Sequence, residues 1–182
     1  MTSARTFSLL AVATVLSGWL AGSALERSAV LMPVWLAMGA QSWARFSPGA
    51  VSGTALALEG AVGVAAAALI FAAATSATFD RDRDRATPIS LILAVVFSLL
   101  GLLFTAKAAN LLQLLAASPP AADLQPIFED YMIWGVDFRA AAAAAAFVAV
   151  VWALFGLSVA DAAGAPILAP PEQPKAEERG AS

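Results

Sequence analysis

The sequence contains neither cysteine nor histidine. The chain therefore forms no disulfide, offers no thiolate nucleophile, and has no imidazole base or imidazole ligand for zinc, copper or haem. Charged residues are also scarce, at 13% of the chain, and they form no long basic run. We expect no metal centre, no cofactor and no nucleic-acid partner.

Apolar residues dominate instead. Hydrophobic residues make up 60% of the chain and the mean hydropathy is +0.80, which is typical of a protein whose main solvent is lipid. Crossing a hydrocarbon core of about 30 Å takes about twenty predominantly apolar residues. Four segments meet this requirement, at about 7–27, 51–75, 88–115 and 136–159. The sequence predicts an all-α membrane protein with a bundle of four transmembrane helices in residues 1–162, and a disordered tail over 163–182.

The first apolar segment has two interpretations. Arg5 precedes a long apolar stretch, and the small residues Gly22 and Ala24 suit a signal peptidase, so the segment resembles a secretory signal. Against cleavage, the stretch is long for a signal core, and Gly18 and Gly22 have the GxxxG spacing that lets membrane helices approach closely. We interpret the segment as a retained span, with cleavage as the alternative.

The distribution of basic residues indicates the orientation. Arg5, the loop 79–85 and the tail residues Lys175 and Arg179 lie on one side of a four-span chain, whereas 116–135 has no basic residue. The opposite side holds Arg27, Arg45 and Arg139. Basic loops resist translocation, so we predict a bacterial-type plasma membrane protein with both termini in the cytoplasm. The alternating charges of the loop 79–85 neutralise one another and indicate a solvated loop.

Two segments on the outer side resemble interfacial helices. Pro33–Phe46 carries aromatic and apolar residues at helical spacing, and Leu124–Trp134 places aromatic residues beside acidic ones. Aromatic residues with a polar edge favour the boundary between water and lipid. We therefore predict short helices that lie on the outer leaflet.

Ionisable residues inside the spans are the main functional candidates, because such residues usually face the bundle interior or a polar cavity. Glu59 and Lys107 each lie about eight residues from the outer end of their span, which is about 12 Å deep at 1.5 Å per residue. We predict an ion pair between them. Asn110 follows Lys107 by three residues on the same helical face.

Polar residues concentrate in the outer half of the spans, while the inner half is almost wholly apolar. This asymmetry predicts an outward-facing polar pocket that binds a small, partly apolar molecule. Its predicted lining is Glu26, Glu59, Lys107, Asn110, Asp137 and Arg139. In the structural alternative, ion pairs only fix the helix register, and Asp137 and Arg139 extend to the lipid headgroups.

Two stretches resemble the anthrone-oxygenase-like family of small four-helix membrane proteins. In GWLAGSALERSAVLMPVW, Gly18 to Trp35, a glycine-rich helix leads through a charged residue to a proline turn, and WGVDFR, Trp134 to Arg139, stands at the head of the last helix. The resemblance in layout covers most of residues 7–160. In place of the Asn or His expected near the last-helix arginine, this chain has Asp137.

The resemblance implies a function as well as a fold. It implies cofactor-independent oxidation of an aromatic ketone or phenol, in which a base removes an acidic proton and the carbanion reacts with oxygen. Glu59 or Asp137 would be the base, and Lys107 or Arg139 would stabilise the oxyanion.

Other function classes stay open. The chain could be a non-catalytic accessory or structural subunit of a larger membrane complex, with the bilayer and that complex as its partners. A carrier is less favoured, because the four spans show no internal repeat and no interrupted helix pair.

The assigned orientation has a direct test. A topology reporter fused after Ser118 should respond as an external domain, whereas the same reporter fused within the loop 79–85 should respond as a cytoplasmic one. A cytoplasmic response after Ser118 would overturn the orientation.

Overall fold

The computed structural model describes residues 2–50, 53–78, 86–117 and 120–164. Nearly all of these residues are helical, and four helices are long and apolar enough to cross a membrane. The prediction of an all-helical chain with four candidate spans is therefore confirmed. The loop 79–85 and nearly all of the predicted disordered tail lie outside the described residues.

Seven α-helices and two π-helical segments make up the described chain. Their bounds are α1 Thr2–Glu26, the first π segment Arg27–Leu31, α2 Met32–Met38, α3 Ala40–Ala50, α4 Gly53–Thr78, α5 Ala86–Ala116, α6 Ala121–Asp130, the second π segment Tyr131–Phe138, and α7 Arg139–Gly164. The four candidate spans are Ala4–Met38, Leu56–Ala77, Ile89–Ala116 and Ala122–Val159.

The first and last spans are each a continuous helical rod. The first rod consists of α1, the first π segment and α2, and the last consists of α6, the second π segment and α7. Both rods are longer than the predicted apolar runs 7–27 and 136–159. The first rod continues through Pro33, which lies in the first turn of α2, the part of a helix where proline is best tolerated. The rod ends only at Gly39, whose φ of +78° is in the region that favours glycine. The chain then turns into α3.

The four long helices form a ring. Helix α1 packs on α4, α4 on α5, α5 on α7 and α7 on α1, so α4 and α7 lie diagonally opposite each other. Neighbouring helices run antiparallel, and a 2.8 Å hydrogen bond between the hydroxyl oxygens of Thr6 and Ser76 joins the start of α1 to the end of α4. We call this end of the bundle the terminal end, and the end that carries α2, α3 and α6 the cap end.

Each end of the bundle has its own apolar core. At the terminal end, all four helices contribute fully buried side chains such as Leu10, Ile70, Leu91 and Val150. Because lipid offers helices no hydrophobic driving force to associate, this core depends on close packing of aliphatic side chains with many alanines.

The core of the cap end is aromatic. Trp43 of α3 is 1% exposed, and its ring centroid lies 5.4 Å from Phe128 and 5.2 Å from Tyr131. Leu111 and Leu115 of α5 complete the cluster. Helices thus form in both segments that were predicted to be interfacial, and they pack on each other and on α5; their position at a membrane surface stays a prediction.

Trp43 should be a major contributor to the stability of the cap end. We expect Trp43→Ala to lower the free energy of unfolding by about 3–5 kcal/mol, the usual cost of removing a large buried aromatic side chain. Trp152, which is 49% exposed, supplies the matched control, and Trp152→Ala should cost less than about 1 kcal/mol. Denaturant titration in detergent micelles, followed by far-ultraviolet circular dichroism, measures both values. Equal losses would contradict the packing described above.

Candidate functional site

Glu59 of α4 binds two arginines inside the bundle. Nη1 of Arg27 donates to Oε2 of Glu59 at 2.7 Å, and Nη2 of Arg27 donates to Oε1. Nη1 of Arg139 donates to the same Oε2 at 3.0 Å. We call Glu59, Arg27 and Arg139 the ion triad. The side chains of Glu59 and Arg139 are 8% and 7% exposed, whereas Arg27 is 25% exposed, so the Arg139 bridge is the more deeply buried one.

Both arginines are placed by π-helical segments. Arg27 is the first residue of the first π segment, and Arg139 directly follows the second. A π turn contains an additional residue and therefore changes which face of the helix the following residues occupy, a feature found frequently at functional sites. The two segments also meet, since Oγ of Ser28 donates to Oδ1 of Asp137 at 2.5 Å. Both irregular segments therefore lie at the level of Glu59.

The Glu59–Arg139 bridge crosses the centre of the bundle. It joins α4 to α7, the pair that lies diagonally opposite in the ring. Arg27 approaches from the end of α1, which neighbours both α4 and α7. Removal of one partner from a buried pair typically costs about 3–5 kcal/mol, because the other charge is left unpaired in a medium of low dielectric constant. The triad therefore couples three of the four long helices.

The triad replaces the predicted Glu59–Lys107 pair, which is wrong. Lys107 is exposed, and its Nζ lies 3.9 Å from the ring centroid of Trp134, a cation–π contact. At about 100° per residue, Lys107 is on the far side of α5 from Ser98 and Thr105, which face the bundle interior. The pair was predicted because Lys107 and Glu59 lie at equal depth in their spans. The side chain of Lys107, however, lies on the face of α5 that is turned away from the bundle interior.

The other predicted lining residues lie apart from the triad. Glu26 and Asn110 are exposed, and Asp137 is an exposed residue that accepts the hydrogen bond from Ser28. Only Glu59 and Arg139 of the predicted set come together. Arg27 was missing from that set because it was placed at a helix end; the absence of a helix breaker between it and Pro33 was the signal that the helix continues.

A cavity of about 60 Å³ begins at Glu59 and Arg139 and extends towards the terminal end. It is partly open, and all four long helices line it. Most of its wall consists of small residues, including Ser17, Ala66, Ser98, Gly101, Ala143 and Ala146. A water molecule needs about 10–15 Å³ on this measure, so the cavity has room for about four waters or four non-hydrogen atoms.

The hydrogen-bonding groups of the cavity wall differ in what they can offer. Oγ of Ser23 donates to the carbonyl oxygen of Leu20 at 3.1 Å, and Oγ1 of Thr105 donates to that of Gly101 at 2.8 Å. These hydroxyls face the cavity as acceptors only. Arg139, in contrast, has a buried Nε with no hydrogen-bond partner. Arg139 is therefore the charged donor of the cavity wall.

The described residues contain no group of three acidic side chains that could hold a metal ion. Comparisons with family models, with curated proteins and with solved structures find no match to this chain. The resemblance to the anthrone-oxygenase-like family accordingly stays a prediction.

A double-mutant cycle tests the triad. Glu59→Gln should lower the free energy of unfolding by about 3–5 kcal/mol, because it leaves the guanidinium of Arg139 buried without a carboxylate. Arg139→Gln should cost less, because Arg27 still binds both oxygens of Glu59. The double variant should lose less than the sum, with a coupling energy of about 0.5–3 kcal/mol. Denaturant titration in micelles provides the free energies.

The same cycle with Lys107 is the control. Lys107→Gln and Glu59→Gln should add to within about 0.5 kcal/mol, as expected of residues that share no partner. Additivity of Glu59 with Arg139, or coupling of Glu59 with Lys107, would contradict the geometry of the triad.

Proposed function

We propose that the chain is a membrane protein that binds a small, partly apolar molecule in the cavity between its two cores. The observation that carries this proposal is a cavity with small and apolar walls and a buried ion triad at one end. Ligand sites commonly combine a mostly apolar wall with a few fixed polar groups, and in helical bundles they lie between the helices. The buried carboxylate and guanidinium would orient the ligand, and the small residues would make room for it.

The size of the cavity limits what enters. Space for about four non-hydrogen atoms is enough for a polar head with one or two carbons, whereas a benzene-binding cavity is about 150 Å³. The ligand is accordingly a molecule that inserts one end. Because the cavity is partly open, the remainder can pass out of the bundle.

The proposed setting is the one that the basic residues predict, a bacterial-type plasma membrane with both termini in the cytoplasm. In that orientation the cap end, the ion triad and the polar end of the cavity lie in the outer half of the membrane. The aliphatic core of the terminal end then separates the cavity from the cytoplasm.

Binding is favoured over the alternatives for specific reasons. Both carboxylate oxygens of Glu59 accept hydrogen bonds from arginine, so this predicted base is fully engaged. Asp137 is exposed and does not line the cavity. Oxygenase chemistry stays a prediction of the family resemblance. The accessory-subunit alternative is supported by outward-facing apolar side chains such as Val15 and Phe155. Contact with lipid explains these side chains equally well, so they do not require a partner protein. A subunit that serves only as a contact surface has no need of a cavity with a buried ion triad.

Filling the cavity tests the proposal. Gly22 and Gly101 both have room for a larger side chain, since an added Cβ meets no atom within 4 Å at either position, but only Gly101 lines the cavity. Photolabelling with a ten-carbon alcohol that carries a diazirine at the second carbon should label Ser98 and Thr105. Gly101→Leu should abolish this labelling because four added carbons occupy the space available.

The controls separate the cavity from the lipid-facing surface. Gly22→Leu should leave the labelling of Ser98 and Thr105 unchanged, and mass spectrometry should find the same labelling of lipid-facing Leu99 and Leu103 in every variant. Labelling of Ser98 and Thr105 that survives Gly101→Leu, or that never exceeds background, would refute ligand binding in the cavity.

A further inference from the structure

The ion triad carries an unbalanced charge. One carboxylate faces two guanidinium groups, which leaves one positive charge in excess at the triad, shared between buried Arg139 and partly exposed Arg27. Asp137, two residues before Arg139, is an exposed residue whose Oδ1 accepts a hydrogen bond from Ser28. Uncompensated charge is costly inside a protein and inside a membrane. An anion bound in the cavity would neutralise this excess positive charge.

Arg139 also has an unused donor. The residue is 6% exposed, its Nη1 binds Glu59, and its buried Nε has no hydrogen-bond partner. Buried polar groups nearly always have a partner, so an orphaned N–H on an arginine requires an explanation. Arg139 lines the cavity, and the planar guanidinium matches the two oxygens of a carboxylate. A carboxylate in the cavity would therefore meet a guanidinium whose hydrogen-bonding capacity Glu59 does not exhaust.

Arg139 is the only cation among the described residues that line the cavity, and the carboxylate of Glu59 beside it is already bound to two arginines. Ser23 and Thr105 use their hydroxyl protons on helix carbonyls, so they do not donate to a ligand. The further wall includes the half-buried apolar side chains of Leu20, Phe97 and Leu102. An anionic group is therefore directed to Arg139, and an apolar chain is directed to the remaining wall.

We infer that the cavity binds a single-chain amphiphile through its carboxylate head, with the carboxylate at Arg139 and the hydrocarbon chain leading out of the bundle. Three atoms of a carboxylate and one methylene match the room for about four non-hydrogen atoms. The inference rests on the proposed function, since it names the class of molecule that the same cavity takes.

Three photoreactive probes test the head group. The full chain is placed in phosphatidylcholine vesicles at about pH 9, where a carboxyl group is ionised. Decanoate, decanol and decylamine, each with a diazirine at the second carbon, are then compared by their labelling of Ser98 and Thr105. Decanoate should label at least about tenfold more than decanol, as expected for a charge-assisted hydrogen bond, and decylamine should label least.

Variants assign the preference to Arg139. Arg139→Gln should reduce the ratio of decanoate to decanol labelling to about one or below, because the cavity wall then has no cation and keeps the carboxylate of Glu59. Arg45→Gln, which removes an exposed cation of α3, should leave the ratio unchanged. If Arg139→Gln does not fold, the three probes on the unsubstituted chain still decide the question.

Competition distinguishes an amphiphile from a free anion. Unlabelled decanoate should displace the decanoate probe, and acetate at the same concentration should not, since it lacks the chain. Equal displacement by acetate would overturn the amphiphile and show a site for free carboxylates. Equal labelling by decanoate and decanol would overturn the carboxylate while the proposed function stands. Labelling of the cavity by none of the probes would refute both.

Discussion

A carboxylate in the interior of a lipid-facing bundle needs cationic partners, and Glu59 obtains two of them from different helices. Arg27 arrives at the end of α1 and Arg139 at the start of α7, and both arrive at a π segment. The level of Glu59 in α4 is therefore the level at which the first and last rods are irregular. The chain turns at Gly39 into α3, and α3 packs on α6 at the cap end, next to the ion triad.

The triad also separates two kinds of packing. Towards the terminal end, aliphatic side chains and alanines meet closely around Ile70 and Val150, and towards the cap end the rings of Trp43 and Phe128 fill the space. Between the cores, the helices present mainly glycine, alanine and serine to the centre. Small residues let helix backbones approach, but they do not fill the middle of a four-membered ring, and a cavity remains beside the charges.

The sequence predicted much of this architecture because lipid imposes strong constraints. Length and apolarity predicted four spans, and the cost of a buried charge singled out Glu59. The partner of Glu59 was not predictable from depth alone, since Lys107 has a suitable depth and the wrong direction. Arg27 and Arg139 reach Glu59 at π segments, and these make tertiary contacts such as Ser28 with Asp137, which no local pattern in the sequence reveals.

The π segments also bear on how such a chain can change over generations. An α-helix becomes π-helical locally when one residue is inserted, and each residue turns the helix by about 100°. Loss of one residue between Arg27 and Leu31 would rotate everything beyond it, including Trp35, against the aromatic core. Loops absorb insertions and deletions readily, but these two rods do not. A change of length in either π segment would thus disturb the aromatic cap and the charged centre together.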